Sequence, residues 1–219
     1  MKKINTILFD LDGTLINTNE IILESFRYTF ETHFPELSIP REKLLSFIGP
    51  TLYDTFSIYT DDPFKIQSMI ESYREYYVEF EFGNFEIYPD VLETVKKLYD
   101  KGYNLGIVTS KYKVAAWPSF TYYNLQQYFT VFVALDDVEN PKPHREPIDT
   151  ALSRFPSVTK AIMIGDNRGD ILAGKNAGIY SAGVAWSIKG SAHLLMETPD
   201  FMLADMNDIF RILKRIEEE

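Results

Sequence analysis

The sequence from about residue 89 onward alternates short apolar runs with helix-forming segments, and this alternation constrains the fold more than any other feature. Together with an earlier run near the start of the chain, the apolar runs predict strands at 5–9, 103–109, 131–135, 161–166, 179–186 and 200–203. These runs are apolar throughout, as expected of strands that are covered on both sides. The pattern therefore predicts an α/β fold, in which a Rossmann-like parallel sheet has helices on both faces.

Residues 16–87 interrupt this alternation. Only helical patterns are evident there, at 21–30, 43–49, 51–59 and 65–82, separated by breaks that contain Pro or Gly. The sequence therefore predicts two domains. A core domain is formed by 1–15 and 88–219, and an all-helical cap domain is inserted at 16–87.

The composition limits the partners and the location of the protein. Of the 219 residues, 45% are hydrophobic, which is enough for a large buried core, and the formal net charge is −10. Nucleic acids and anionic membranes bind clusters of Lys and Arg, so we expect neither as a partner. The sequence has no cysteine, and Asp10 and Asp12 interrupt the first apolar stretch. We therefore expect neither disulfides nor a signal peptide, and a cytoplasmic protein.

Polar residues follow several predicted strands at the point where each strand ends. They are Asp10, Asp12, Thr109 and Asp166, with Asp170 one helical turn after Asp166 and Lys142 between two prolines in the loop after the third strand of the predicted sheet. Two carboxylates so close to an apolar strand are costly to bury. Functional residues of an open parallel sheet lie beyond the carboxyl ends of its strands, so we expect these side chains to converge.

The carboxylates predict a metal site. Asp10 and Asp12 are spaced by two residues, Gly13 allows a sharp turn after them, and Asp166 adds another negative charge. Hard oxygen ligands without His or Cys favour Mg²⁺. With a divalent cation in place, a phosphate dianion could bridge the metal, Lys142 and Thr109. The expected partner is therefore a small-molecule phosphate substrate.

Each residue also has a purely structural explanation. Asp12 or Thr14 could cap a helix, and Asp166 and Asp170 could be acids favoured at a helix start. Thr109 taken alone is an ordinary strand-end residue, and Lys142 taken alone is a solvated loop lysine. Their joint order along the chain favours the functional interpretation.

In that order, "DLDGT", Thr109, Lys142 and "GDNRGD" resemble the four motifs of the haloacid dehalogenase superfamily. The resemblance covers nearly the whole chain and implies an Mg²⁺-dependent phosphohydrolase. It implies that Asp10 is the nucleophile that forms an aspartyl phosphate. Asp12 would be the general acid and then the general base.

The same resemblance implies how the remaining residues take part. Asp10, Asp166 and the backbone carbonyl of Asp12 would hold Mg²⁺. Thr109 and Lys142 would bind the oxygens of the transferring phosphoryl group. The supporting residues would be Thr14, Asn167 and Asp170.

Longer segments, including "FDLDGTLINTNE", "LGIVTSK", "LDDVENPKP" and "GVAWSIKG", resemble the inorganic pyrophosphatases of this superfamily, which implies hydrolysis of pyrophosphate. A phosphoglycolate-type phosphatase and a β-phosphoglucomutase-like isomerase are the alternatives. Two features depart from the common pattern. His144 and Arg145 follow Lys142-Pro143 where Asp-Pro is common, and Pro118 interrupts a predicted helix.

Residues that contact the substrate beyond these motifs are harder to identify. The candidates are Lys111, which directly follows the second motif, Gly49 in a predicted turn of the cap, and Arg168. The histidines at 33, 144 and 193 have no metal-ligand spacing. We interpret them as ordinary surface or loop residues.

Overall fold

The computed structural model describes residues 3–81 and 83–218, so positions 1, 2, 82 and 219 of the predicted domains lie outside the described residues. The chain divides into two compact units. The first unit comprises Met1–Ile16 and Ile87–Glu219, and the second comprises Asn17–Glu86. Among the described residues, no helix is long and apolar enough to cross a membrane.

The secondary structure is assigned in chain order. The strands are β1 Thr6–Phe9, β2 Ile16–Asn17, β3 Glu86–Ile87, β4 Asn104–Val108, β5 Val131–Val133, β6 Ala161–Gly165, β7 Tyr180–Val184 and β8 Phe201–Leu203. The helices are α1 Asn19–His33, α2 Arg41–Leu45, α3 Leu52–Phe56, α4 Pro63–Phe80, α5 Val91–Asp100, α6 Lys113–Tyr122, α7 Glu146–Ser153, α8 Arg168–Asn176, α9 Ala192–Leu195 and α10 Asp208–Glu218. Short 3₁₀ turns cover Leu125–Gln127 and Leu135–Asp137.

The first unit is built on a six-stranded parallel sheet with the order β5-β4-β1-β6-β7-β8. Helices connect successive strands, which confirms the predicted α/β fold. Strand β1 is central and fully buried, with Ile7, Leu8 and Phe9 each at 0% exposure. Because β4 and β6 flank β1, the carboxyl ends of these three strands meet at one edge of the sheet.

The second unit contains α1 to α4 and an aromatic core. The ring of Phe26 lies 5.3 Å from that of Phe47, 5.8 Å from that of Phe56 and 4.7 Å from that of Tyr73. Helix α4 begins at Pro63, and the side chain of Asp62 accepts a hydrogen bond from the backbone N–H of Phe64. Such a cap followed by Pro is typical of a helix start.

The structure corrects three details of the predicted elements. Strands β2 and β3 lie within the region where only helices were expected. The sequence did not predict them because two-residue strands are too short to show a periodicity. The helix predicted at 43–49 is α2, which ends at Leu45. Helix α6 continues through Pro118 to Tyr122.

Candidate active site

Asp10 and Gly13 shape the chain just beyond β1. Asp10 is 7% exposed, and its backbone N–H donates to the carbonyl of Ile164 in β6 at 2.9 Å. Gly13 has a φ of +78°, a conformation that residues with a Cβ rarely adopt. A Cβ at this position would also clash with the carboxylate of Asp166. Glycine is therefore required both for the turn and for the close approach of Asp166.

Three buried carboxylates meet at this edge of the sheet. Asp10 follows β1, Asp166 follows β6, and Asp170 lies in the first turn of α8. Each offers an oxygen, and these three oxygens lie within 4.8 Å of one another. The Oδ1 of Asp12, the next acid along the chain, pairs with the Nζ of Lys111 at 3.0 Å. We call Asp10, Asp166 and Asp170 the carboxylate cluster.

Lys142 is the buried cation of the cluster, with a side chain that is only 4% exposed. Its ammonium donates to the Oδ1 of Asp10 at 3.0 Å, to the Oδ1 of Asp170 at 2.6 Å and to the carbonyl of Val108 at 2.8 Å. These bonds account for all three N–H groups of the ammonium. Lys142 is thus held in one orientation at the end of β4, unlike a solvated loop lysine.

The electrostatics of the cluster favour an added positive charge. Burial raises the pKa of Asp10 to about 7, with further increases from Asp170 and Asp12, against the opposing effect of Lys142. Burial, Asp10 and Asp170 likewise raise the pKa of Asp166 well above its usual range. Burial alone would lower the pKa of Lys142, but the charges of Asp10 and Asp170 raise it above its ordinary value. Lys189 and Lys142 oppose the shift at Asp166, yet its pKa stays raised, so these two ammonium groups do not balance the three acids.

The donor set fits a divalent cation. The Oδ2 of Asp166 is buried and has no hydrogen-bond partner within residues 3–81 and 83–218. An orphaned carboxylate oxygen is costly unless something binds it. Since the cluster offers only hard oxygen atoms, Mg²⁺ and similar cations suit it better than zinc or copper. A bound cation would also lower the raised pKa values of these acids.

Other residues that the sequence assigned to the site are also buried. Thr109 follows β4, is 5% exposed, and its hydroxyl oxygen accepts from the backbone N–H of Lys111 at 3.2 Å. Thr14 is fully buried, and within the described part of the chain its hydroxyl has no partner. The backbone N–H of Asn167 donates to the Oδ2 of Asp170 at 3.0 Å. The Asp170 carboxylate therefore contacts both the ammonium of Lys142 and the backbone of Asn167, the residue that precedes α8.

The three predicted substrate-contact residues have different surroundings. Lys111 is half-buried and lies against Asp12. The guanidinium of Arg168 is largely exposed and pairs with Glu197 at 2.5 Å. Gly49 belongs to the second unit, where its φ is +108°. Of the three, Lys111 is therefore the one that contacts a residue expected to take part in catalysis.

The loop after β7 and the start of α9 bring in three residues to which the sequence assigned no role in the site. The hydroxyl of Ser187 donates to the backbone carbonyl of Asp166 at 2.9 Å, and the Nε2 of His193 lies 3.0 Å from the same oxygen. The ammonium of Lys189 donates to the Oδ1 of Asn167 at 2.6 Å. His193 is therefore not an ordinary surface residue. The available signal was the position of this polar loop after the carboxyl end of β7, which neighbours β6.

Comparisons with known proteins agree with this architecture. The family model described as haloacid dehalogenase-like hydrolase matches residues 7–184. The chain is 48% identical over 211 residues to the pyrophosphatase PpaX of Bacillus pumilus, which covers 96% of both proteins. It is 46% identical over 215 residues to the pyrophosphatase PpaX of Bacillus cereus, which covers 98% of both.

Solved structures of the same type are also similar. A haloacid dehalogenase-like family hydrolase from Streptococcus pneumoniae matches with a TM-score of 0.81 and 26% sequence identity. The match covers 97% of this chain and 99% of that one. The similarity therefore includes both units of the structure.

Proposed function

The chain belongs to the haloacid dehalogenase-like hydrolase family and is therefore an enzyme of the hydrolase class, and on this premise we propose that it is an Mg²⁺-dependent inorganic pyrophosphatase. The observation that carries the phosphoryl-transfer chemistry is the carboxylate cluster around Lys142, with the orphaned Oδ2 of Asp166. The choice of pyrophosphate is supported by the near full-length similarity to proteins described as pyrophosphatases.

In this proposal, Asp10 is the nucleophile and Asp12 transfers the protons. A carboxylate oxygen of Asp10 attacks one phosphorus atom, the bond to the bridging oxygen breaks, and Asp12 gives its proton to the leaving phosphate. A water molecule then attacks the phosphorus of the aspartyl phosphate while Asp12 takes its proton. The second phosphate leaves, and Asp10 is regenerated.

The other residues of the site bind and orient the reacting groups. Thr109 and Lys142 would donate to the phosphoryl oxygens, where negative charge develops.

The cation would be held by Asp10, Asp166 and the backbone carbonyl of Asp12. The supporting residues would be Asp170, Asn167 and Thr14. A Mg²⁺ held by these residues would supply positive charge to stabilise the transferring phosphoryl group. All these residues belong to the first unit, which we propose is the catalytic core, with Asn17–Glu86 as the cap.

The pairing of Lys111 with Asp12 supports an anionic leaving group. Asp12 must lie within hydrogen-bond reach of the leaving oxygen to protonate it, and the Lys111 ammonium lies 3.0 Å from Asp12. A leaving phosphate would therefore form next to this positive charge. An uncharged alcohol would gain much less from the same lysine.

A substrate panel tests the proposal. Release of phosphate would be measured from pyrophosphate, phosphoglycolate and glycerol 2-phosphate, with Mg²⁺ and with a chelator. We expect activity only with the metal and the highest kcat/KM for pyrophosphate. A higher kcat/KM for phosphoglycolate would refute the choice of pyrophosphate. Conversion of β-glucose 1-phosphate into glucose 6-phosphate without free phosphate would instead indicate an isomerase.

Substitution of Lys111 tests whether this lysine favours a charged leaving group. Lys111→Met should lower kcat/KM for pyrophosphate more than for glycerol 2-phosphate, because only the first substrate has a charged leaving group. Lys96→Met is the matched control, since Lys96 is exposed and pairs with Asp100 on the surface of α5. An equal loss for both substrates with Lys111→Met would contradict the assigned role of Lys111.

A further inference from the structure

The loop that follows β7 and the start of α9 contact two consecutive residues just after β6. Ser187 and His193 contact the backbone carbonyl of Asp166 at 2.9 and 3.0 Å. Lys189 contacts the side chain of the next residue, Asn167. None of these three residues lies in the four motifs that define the site. Their shared target is the segment that carries the orphaned carboxylate oxygen of Asp166.

Lys189 determines which way the amide of Asn167 points. An ammonium can only donate hydrogen bonds, so the group of Asn167 that faces it at 2.6 Å must be the Oδ1 oxygen. The amide nitrogen then faces the other side, where Nδ2 donates to the Oδ1 of Asp166 at 2.9 Å. The two bonds form a chain from Lys189 through Asn167 to Asp166.

These two hydrogen bonds leave the two carboxylate oxygens of Asp166 with different surroundings. Oδ1 is occupied by the Asn167 amide, whereas Oδ2 is buried and has no hydrogen-bond partner in the described part of the protein. The carboxylate is therefore held so that one buried oxygen remains without a hydrogen bond among the described residues. Hydrogen bonds of this kind fix the orientation of metal-binding carboxylates.

Resting on the proposed function, we propose that Lys189 is a positioning residue for the divalent cation. It acts through Asn167 to hold Asp166 with Oδ2 directed at the cation. Its own charge has the opposite effect, because a nearby ammonium repels a cation. The two effects predict opposite results when Lys189 is removed, and the proposal is that orientation outweighs repulsion.

Calorimetric titration of Mg²⁺ into the metal-free protein separates these effects without an activity measurement. Loss of a residue that orients a metal ligand typically weakens binding by roughly 10–100-fold, and we expect this for Lys189→Met and for Asn167→Ala. The double variant should bind like Asn167→Ala alone, because both changes break one chain of contacts. Lys189→Arg, which keeps a charged donor, should restore part of the affinity.

The control is Lys214→Met, a change at an exposed lysine of α10 that should leave Mg²⁺ affinity unchanged. Thermal unfolding in a chelator would show that each variant is folded before titration. If Lys189→Met is not folded, Asn167→Ala carries the test, since it breaks the same chain and keeps the ammonium.

The possible failures are distinct. If the unaltered protein does not bind Mg²⁺, the proposed function is wrong. If it binds Mg²⁺ and Lys189→Met binds equally or more tightly, repulsion dominates and the positioning role is refuted. Additive losses in the double variant would also refute it, because Lys189 would then act independently of Asn167.

Discussion

The carboxylate cluster of the first unit and the aromatic core of the second unit are both buried, but burial has opposite consequences in them. In the second unit, Phe26 and its neighbouring rings gain stability when they leave water. The buried hydroxyls of Ser25 and Thr29 each donate at 2.7 Å to a carbonyl one helical turn earlier. These polar groups are therefore satisfied within their own helix.

In the carboxylate cluster, burial raises the free energy of the charged groups. It increases the pKa of Asp10 and of Asp166, and the Oδ2 of Asp166 is left without a partner among the described residues. The difference indicates where the protein needs a ligand. The aromatic rings are stabilised by contacts with one another, whereas the cluster combines acids of raised pKa with a buried oxygen that has no partner among the described residues, a pattern typical of ligand-binding sites.

The largest expected effect comes from Asp10→Asn. Loss of the nucleophile should lower kcat by at least roughly 10⁴-fold, which steady-state assays would measure. At about pH 8 the metal-free variant should be no less stable than the unaltered protein, because the raised pKa of Asp10 means that its charge destabilises the fold. Asp61→Asn, at an exposed position of the second unit, is the control. Retained turnover in Asp10→Asn would rule out the aspartyl phosphate.

Phe26→Ala should give the reverse pattern, with a large loss of stability. Truncation of a buried Phe typically costs about 3–5 kcal/mol in the free energy of unfolding, which urea denaturation would measure. Phe26 is 2% exposed, whereas Phe64 in the same unit is 85% exposed. Phe64→Ala should therefore change stability by no more than about 0.5 kcal/mol. Similar losses in both variants would show that the aromatic core is not the main source of stability there.

Gly13→Ala should combine a moderate loss of stability with a loss of cation binding. An Ala at either Gly13 or Gly102 meets backbone strain of roughly 1–2 kcal/mol, because both residues have positive φ. Only at Gly13 would the new Cβ also displace the carboxylate of Asp166, while a Cβ at Gly102 would have open space. Mg²⁺ titration should therefore separate the two variants. Equal affinities would contradict the place of Asp166 in the cation site.

The last expected effect is a pH dependence of stability. The pKa of Asp10 rises from 3.8 to about 7 on folding, so the folded protein binds this proton more tightly than the unfolded chain. The associated stability is complete below the unfolded pKa and is lost as the pH rises through about 7. Mg²⁺ should oppose that loss, so it should raise Tm more at about pH 8 than at about pH 5. Thermal unfolding with Mg²⁺ or a chelator measures this, and an equal Mg²⁺ effect at both pH values would contradict it.

Local patterns in the sequence were sufficient for the fold class and for the order of the motifs. Apolar runs and helical periodicity depend on near neighbours in the chain, so they predicted the parallel sheet and placed Asp10, Thr109 and Asp166 after strand ends. They missed β2 and β3, which are too short to have a periodicity. They also did not show that Arg168 pairs with Glu197, because that contact joins residues far apart in the sequence.

Tertiary structure decided which groups touch. The strand order places β1 between β4 and β6, and this brings Asp10 beside Asp166 and Asp170 although they are far apart in sequence. The three bonds of Lys142 and the contact of Lys189 with Asn167 likewise join distant segments. Hydrogen bonds and pKa shifts depend on distances of a few ångströms and on burial. Residue types and spacing therefore determined the chemistry available to the chain, and only the folded sheet determined which groups can act together.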